Sequence, residues 1–181
     1  MAKNHPIRLE PFAADLFFQQ GMTFEFAALD LSTRKNIFPY ATVAATNLIL
    51  AAELYLKALA SLDGKRPIKT HDLLILYDDL EPTTRDTIAR RWPQAEAGAQ
   101  ELIDAGNAKY GLPAFKLEIE PYADVITRCR RLFEDLRYPT ETSWLSSNAR
   151  LAIPLRTEVL TRKPEWGPSA DDPREKLLRA R

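Results

Sequence analysis

The sequence predicts an all-α protein, an antiparallel helical bundle of about five helices. Apolar residues recur at spacings of three and four along most of the chain, which is the periodicity of amphipathic helices. The connections between these segments are short, which favours antiparallel neighbours. The 181 residues, 45% of them hydrophobic, suffice for one core. We expect one domain over residues 1–163 and a tail rich in proline and charge over residues 164–181.

The first predicted helix follows Pro11, a residue that suits the first turn of a helix. Phe12, Leu16 and Phe24 lie at helical spacings along it. Gly21 weakens the middle of this helix, so it marks either a break or a close contact with a neighbouring element.

The strongest predicted helix is YATVAATNLILAAELYLKALASLDG, which begins at Tyr40 and has Gly64 as its C-terminal stop. It is apolar nearly all round, so we expect it at the centre of the core. Glu53 and Lys57 are two of its few polar residues and stand four apart. We favour an ordinary pair on the one solvent-facing edge of this helix. The alternative is a partly buried pair at a dimer interface or cleft.

The second half of the chain predicts further helices. A short one follows residue 70, with Thr70 or Asp72 as its cap. A longer segment over residues 81–106 forms one helix or two, because Pro93 imposes a kink or a break. A helix over residues 121–138 carries an apolar stripe, and Cys129 on that stripe is predicted to be a small core residue rather than a reactive thiol. A last short helix, over residues 147–160, is interrupted at Pro154.

Composition excludes several function classes. The formal net charge is zero, so no whole-protein field attracts nucleic acid. One cysteine and two histidines cannot form a structural zinc site, and we expect neither metal nor cofactor. The Gly-x-Gly-x-x-Gly and phosphate-loop patterns are missing, and no signal peptide or membrane segment is predicted. These features are typical of a cytoplasmic protein.

Charge is nevertheless uneven. Residues 70–121 carry ten acidic and five basic residues, whereas residues 122–163 carry five acidic and eight basic residues. Arg130 and Arg137, seven apart, share a helix face opposite the apolar stripe. This face is either a solvated surface or a basic groove for a phosphate backbone or an acidic partner. Tyr138 either packs its ring against the bundle or stacks a base beside Arg137.

Three motifs together resemble the HEPN family, the higher-eukaryote and prokaryote nucleotide-binding domain. They are AAELYLKAL with Glu53 and Lys57, then Thr70-His71-Asp72-Leu73, then the late Arg137-Tyr138-Pro139. The resemblance covers residues 38–141. It implies an all-α bundle that dimerises and works in RNA metabolism, toxin–antitoxin systems or phage defence. Many members are metal-independent ribonucleases with an Arg-x(4–6)-His motif that meets its copy across the dimer. Others bind or dimerise only, and some act beside a separate nucleotidyltransferase protein.

Arg66 and His71 have the spacing of that catalytic motif. A histidine base and an arginine clamp would suit RNA cleavage without metal. In ribonuclease members, however, the motif comes late, and here the late segment reads LRYPTETSW without a histidine. Pro67 also puts the pair on a loop, which holds a site less rigidly. His71 therefore has three readings: a structural residue that pins the short helix, a ligand-binding residue near Arg137 and Tyr138, or a catalytic residue.

The sequence thus predicts a dimeric HEPN-like protein that binds RNA or a nucleotide-linked partner, within a toxin–antitoxin or phage-defence system. Arg130, Arg137 and Tyr138 are the predicted ligand-binding residues. The first alternative is a metal-independent endoribonuclease that uses Arg66 and His71. The second is a protein-interaction adaptor that binds no RNA. The expected partners are a second copy of the chain, RNA and a nucleotidyltransferase protein.

Overall fold

The computed structural model describes residues 7, 14–32, 40–110, 113–114, 116, 119–131, 150–169 and 172. These residues form six α-helices and no strand, in the order α1 (Ala14–Ser32), α2 (Ala41–Leu62), α3 (Leu73–Asp78), α4 (Pro82–Tyr110), α5 (Tyr122–Arg128) and α6 (Ala152–Arg162). A 3₁₀ turn over Pro164–Trp166 follows α6. The predicted all-α helical bundle is confirmed.

Helix α2 is the centre of the bundle. It packs along α1 and also contacts α3 and α6. Ala51, Ala52, Leu56 and Leu59 on it are fully buried, as its apolar sequence predicts. Its segment Thr42–Leu62 is long and apolar enough to cross a bilayer by length and composition, but 67% of the most apolar window is buried inside the bundle. A core helix of a soluble protein passes the same test, so this segment does not by itself indicate a membrane span.

Gly21 allows α1 and α2 to approach closely. A Cβ atom built on Gly21 would lie 2.6 Å from Cε1 of Tyr55 on α2. Helix α1 runs without interruption through this position. Of the two predicted alternatives, the close contact is therefore correct and the break is wrong.

Two prolines interrupt the helices less than the sequence predicts. Helix α4 runs through Pro93 as one element of 29 residues, so of the two predicted alternatives one helix is correct and two helices are wrong. Pro93 and Ala89, four residues before it, are both exposed, so water can satisfy the carbonyl that loses its donor. Pro154 lies in the first turn of α6, where a backbone N–H has no helical partner anyway. The predicted interruption at Pro154 is therefore also wrong.

The segment after α6 packs back onto α1. The ring centroids of Trp166 and Phe18 lie 5.9 Å apart, and the Gln19 amide donates a hydrogen bond of 3.1 Å to the Trp166 carbonyl. The start of the predicted tail is thus held against the bundle. The boundary at residue 163 stays a prediction, since most of residues 170–181 lie outside the described part of the chain.

Candidate functional site

The loop between α2 and α3 carries the candidate site, and Asp72 fixes where α3 begins. Its Oδ1 accepts hydrogen bonds from the backbone N–H groups of Leu74 at 3.1 Å and Ile75 at 3.2 Å. The Thr70 hydroxyl accepts from the Asp72 N–H at 3.1 Å. Asp72 is therefore the helix cap, and Thr70 supports the turn that precedes it.

His71 binds to α2 rather than capping α3. Its Nδ1 lies 2.9 Å from Oε2 of Glu53, eighteen residues earlier in the chain. The His71 side chain is 59% exposed, whereas that of Glu53 is 5% exposed. The ring thus links a buried carboxylate to the surface.

Glu53 and Lys57 form a buried pair. The Lys57 ammonium donates to Oε1 of Glu53 at 2.5 Å, and the Lys57 side chain is only 9% exposed. The predicted position on a solvent-facing edge is wrong, because α2 is surrounded where these residues lie. Each oxygen of the Glu53 carboxylate has its own partner, Lys57 on one and His71 on the other. A buried carboxylate needs such partners to offset its lost hydration.

Arg130, one of the predicted ligand-binding residues, already has a carboxylate partner. Its Nε and one terminal nitrogen donate to Oδ2 of Asp72 at 3.1 and 2.8 Å. Its carbonyl accepts from the N–H of Leu73 at 3.0 Å. Arg130 therefore joins the end of α5 to the start of α3, with its side chain 43% exposed. This geometry favours a structural role for Arg130, in addition to any contact with a ligand.

A pocket of about 290 Å³ opens at this junction. The described residues that line it are Thr70, His71, Asp72, Ile75 and Arg131. Ile75 is 41% exposed, a large apolar side chain at a polar site. The predicted helix over residues 121–138 does not continue past Arg128, since residues 129–131 form a turn. The sequence pattern therefore places Arg131 only in the basic segment and gives no sign that it lines a pocket together with His71.

The pocket and its supporting pairs carry a small positive excess. Lys57, Arg130 and Arg131 bring three positive charges, and Glu53 and Asp72 bring two negative charges, before any proton on His71. Among the described residues of this site, an anion would therefore meet the cationic Arg131, while each carboxylate already has a cationic partner.

Arg66 is not among the described residues that line this pocket. It is exposed, and the next residue, Pro67, is buried. The structure thus does not place Arg66 in the pocket with His71, although both residues belong to one loop. Arg137 and Tyr138, the other two predicted ligand-binding residues, lie outside the part of the chain that the structure describes.

Other charged pairs tie the helices together away from this pocket. Each joins α6, or Arg150 two residues before it, to another part of the bundle: Glu25–Arg156, Glu96–Arg150 and Asp63–Arg162. Burial raises the pKa of the Glu96 carboxyl, and the neighbouring guanidinium partly opposes this rise. Within the described ranges no group of three or more histidine, cysteine, aspartate or glutamate side chains could hold a metal ion.

Fold and site together define an all-α helical bundle with a polar pocket at a loop–helix junction. No protein-family model matches the chain, and neither does any curated protein or solved structure.

Proposed function

We propose that this chain is a dimeric HEPN-like protein that binds the phosphate groups of RNA, or of a nucleotide-bearing partner, at the His71 pocket. One observation carries the proposal: the exposed His71, hydrogen-bonded to the buried carboxylate of Glu53, lines a pocket together with Arg131. We place this binding in the cytoplasm, within a toxin–antitoxin or phage-defence system.

The chemistry of the pocket suits a phosphate ester. A guanidinium forms short, strong hydrogen bonds to phosphate oxygens, and an imidazole and a hydroxyl add directed contacts. Arg131, His71 and Thr70 supply these three groups within one pocket. The exposed Ile75 beside them offers an apolar surface for a sugar or a base. Since the chain has no net charge, such recognition would be local rather than steered by a long-range field.

The binding experiment compares single-stranded RNA, structured RNA and a mononucleotide in the full-length protein. We expect His71→Ala and Arg131→Ala each to weaken binding about tenfold or more, since each removes a charge-assisted contact. Arg131→Ala should also lower the slope of log affinity against log salt by about one. Arg90→Ala is the matched control, because Arg90 is an exposed arginine on α4 that lines a different surface. Unchanged binding in both pocket variants would refute the proposal.

A second candidate function is the metal-independent endoribonuclease. The observation that favours it is the contact between His71 Nδ1 and the Glu53 carboxylate, since a carboxylate acceptor keeps the proton on Nδ1 and makes Nε2 the basic nitrogen. Such a ring could take a proton from a ribose hydroxyl. The accompanying cation would then be Arg131 of the same pocket, or Arg66 as the motif spacing predicts.

Cleavage of RNA in EDTA separates these possibilities. Activity lost in His71→Ala and Arg131→Ala but kept in Arg66→Ala would assign the site to the pocket. Activity lost in His71→Ala and Arg66→Ala would assign it to the Arg-x-x-x-x-His motif. Activity that survives in all three variants would exclude the pocket as the catalytic site.

Assembly is tested separately. Sedimentation at several concentrations should show a dimer, and co-purification should reveal whether a nucleotidyltransferase protein encoded nearby binds the chain. A protein that dimerises and binds such a partner but no RNA or nucleotide would fit the adaptor function instead.

A further inference from the structure

We infer that Glu53, balanced by Lys57, is a positioning residue that holds the His71 ring through Nδ1–H, so that Nε2 is the nitrogen that meets the ligand. This inference rests on the proposed phosphate-binding function and adds two buried residues to its site. Neither of them lines the pocket itself.

The direction of the hydrogen bond follows from chemistry. An ionised carboxylate only accepts hydrogen bonds, so the 2.9 Å contact requires the proton on Nδ1. The same holds when the ring is neutral and when it is cationic. With Nδ1 engaged by Glu53, contact with a ligand falls to the Nε2 edge. That edge accepts a proton in the neutral ring and donates to a phosphate oxygen in the cationic ring.

The role of Lys57 is to balance the charge of the carboxylate. Both side chains lie on α2 beside fully buried alanine and leucine residues. Without the ammonium at 2.5 Å, the buried charge of Glu53 would face the exposed His71 ring without its balancing cation. Lys57 therefore offsets the desolvation cost of the carboxylate, which can then serve as the acceptor for the Nδ1–H of His71.

The pair is difficult to explain by stability alone. A buried ion pair can often be replaced by apolar residues of similar size without loss of stability, because desolvation offsets the attraction. In a helix that is otherwise apolar at its centre, leucine and methionine would serve the core equally well. What they could not do is accept the Nδ1–H of His71.

A matched pair of double variants tests this. Glu53→Gln with Lys57→Met removes both charges but keeps an amide oxygen that can accept from Nδ1–H. Glu53→Leu with Lys57→Met removes the acceptor as well. We expect affinity for a mononucleotide to stay close to the parent value in the first variant, and to fall about tenfold in the second, the effect of losing one hydrogen bond to a charged group.

Nitrogen-15 NMR of the imidazole rings gives a readout that a merely structural role would not change. The chain has two histidines, His5 and His71, so His71→Asn assigns both signals. At a pH where the ring is neutral, the unmodified protein and the glutamine variant should show His71 with its proton on Nδ1. The leucine variant, Glu53→Leu with Lys57→Met, should lose this preference for the proton on Nδ1. The spectrum of the unmodified protein tests the inference even if a variant fails to fold, since a proton found on Nε2 would overturn it.

The failures of the two proposals can be told apart. If His71→Ala and Arg131→Ala leave binding unchanged, the proposed function itself is wrong. If both abolish binding while the leucine variant, folded by circular dichroism, binds as tightly as the glutamine variant, the phosphate site stands. Only the positioning role of Glu53 is then overturned.

Discussion

Gly21 on α1 faces the ring of Tyr55 on α2 so closely that a Cβ atom would lie 2.6 Å from Cε1 and 2.9 Å from Cδ1. The ring cannot easily move aside. Its hydroxyl donates a 2.6 Å hydrogen bond to Glu25, and it packs against Phe18 with ring centroids 5.5 Å apart. The absence of a side chain at Gly21 thus allows α1 and α2 to pack at this short distance.

Gly21→Ala is therefore expected to destabilise the protein. Alanine favours a helix by about 1 kcal/mol over glycine, but overpacking against a fixed ring costs about 1–3 kcal/mol. Urea denaturation of both proteins measures the difference in the free energy of unfolding. The matched control is Gly98→Ala on α4, where a Cβ atom would meet nothing within 4 Å. That change should stabilise by about 0.5–1 kcal/mol. If Gly21→Ala and Gly98→Ala changed the free energy of unfolding in the same direction, the close packing at Gly21 would be contradicted.

Asp72 has two structural tasks that substitution can separate. Asp72→Asn keeps an oxygen for the N–H groups of Leu74 and Ile75 but weakens the ion pair with Arg130. Since the Arg130 side chain is 43% exposed, this change should cost less than about 1 kcal/mol. Asp72→Ala also removes the helix cap and should cost about 0.5–2 kcal/mol more. Thermal denaturation of both variants checks the order. Equal losses of stability in the two variants would mean that the helix cap does not stabilise the fold.

The all-α class and the burial of the central helix could be predicted because they depend on local periodicity. An apolar repeat at three and four residues identifies a helix and its buried face whatever its neighbours are. Cys129 was placed correctly in the same way, since it lies on such a stripe and is 1% exposed.

The candidate site could be predicted only in part, because its geometry depends on contacts between distant residues. A helix that is apolar nearly all round gives no sign of which edge faces water, so the sequence predicts the wrong environment for Glu53 and Lys57. The contact between His71 and Glu53 and the place of Arg131 in the pocket depend on how the loop returns to α2. The spacing of apolar residues carries no information about how this loop packs against α2.

Arg156 is expected to be one of the most costly side chains to remove. It donates to Oε1 of Glu25, whose side chain is 4% exposed, while Tyr55 donates to the other oxygen. Arg156→Ala leaves that carboxylate buried without its cation, which should cost about 3–5 kcal/mol. Urea denaturation measures the loss.

The matched control for Arg156 is an exposed ion pair. Lys163 and Glu165 lie 3.8 Å apart, with side chains 41% and 61% exposed. Glu165→Ala should therefore change the free energy of unfolding by less than about 1 kcal/mol. A similar loss from both changes would mean that the burial of Glu25 has no energetic consequence.

The Cys129 thiol should be inert in the folded protein. Burial raises its pKa to about 12, with Arg128 opposing and Glu120 adding to the rise. Because the thiolate is the reactive form, a thiol reagent such as dithionitrobenzoate at pH 8 should not modify the native chain. It should modify one equivalent in denaturant, since the chain has one cysteine. Rapid reaction of the native protein would contradict the buried position.

The same raised pKa makes stability depend on alkaline pH. Above the ordinary pKa of a thiol, near 9, the unfolded chain loses the Cys129 proton while the folded chain keeps it. Stability from this group is therefore complete well below pH 9, and between pH 9 and the folded pKa of about 12 it falls by up to about 1.4 kcal/mol for each pH unit. Urea denaturation of the parent protein and Cys129→Ala between pH 8 and pH 10 isolates this contribution, because the buried tyrosines titrate in both. The stability advantage of the parent over the variant should shrink as the pH rises, and a constant difference would show that the thiol does not stay protonated in the fold.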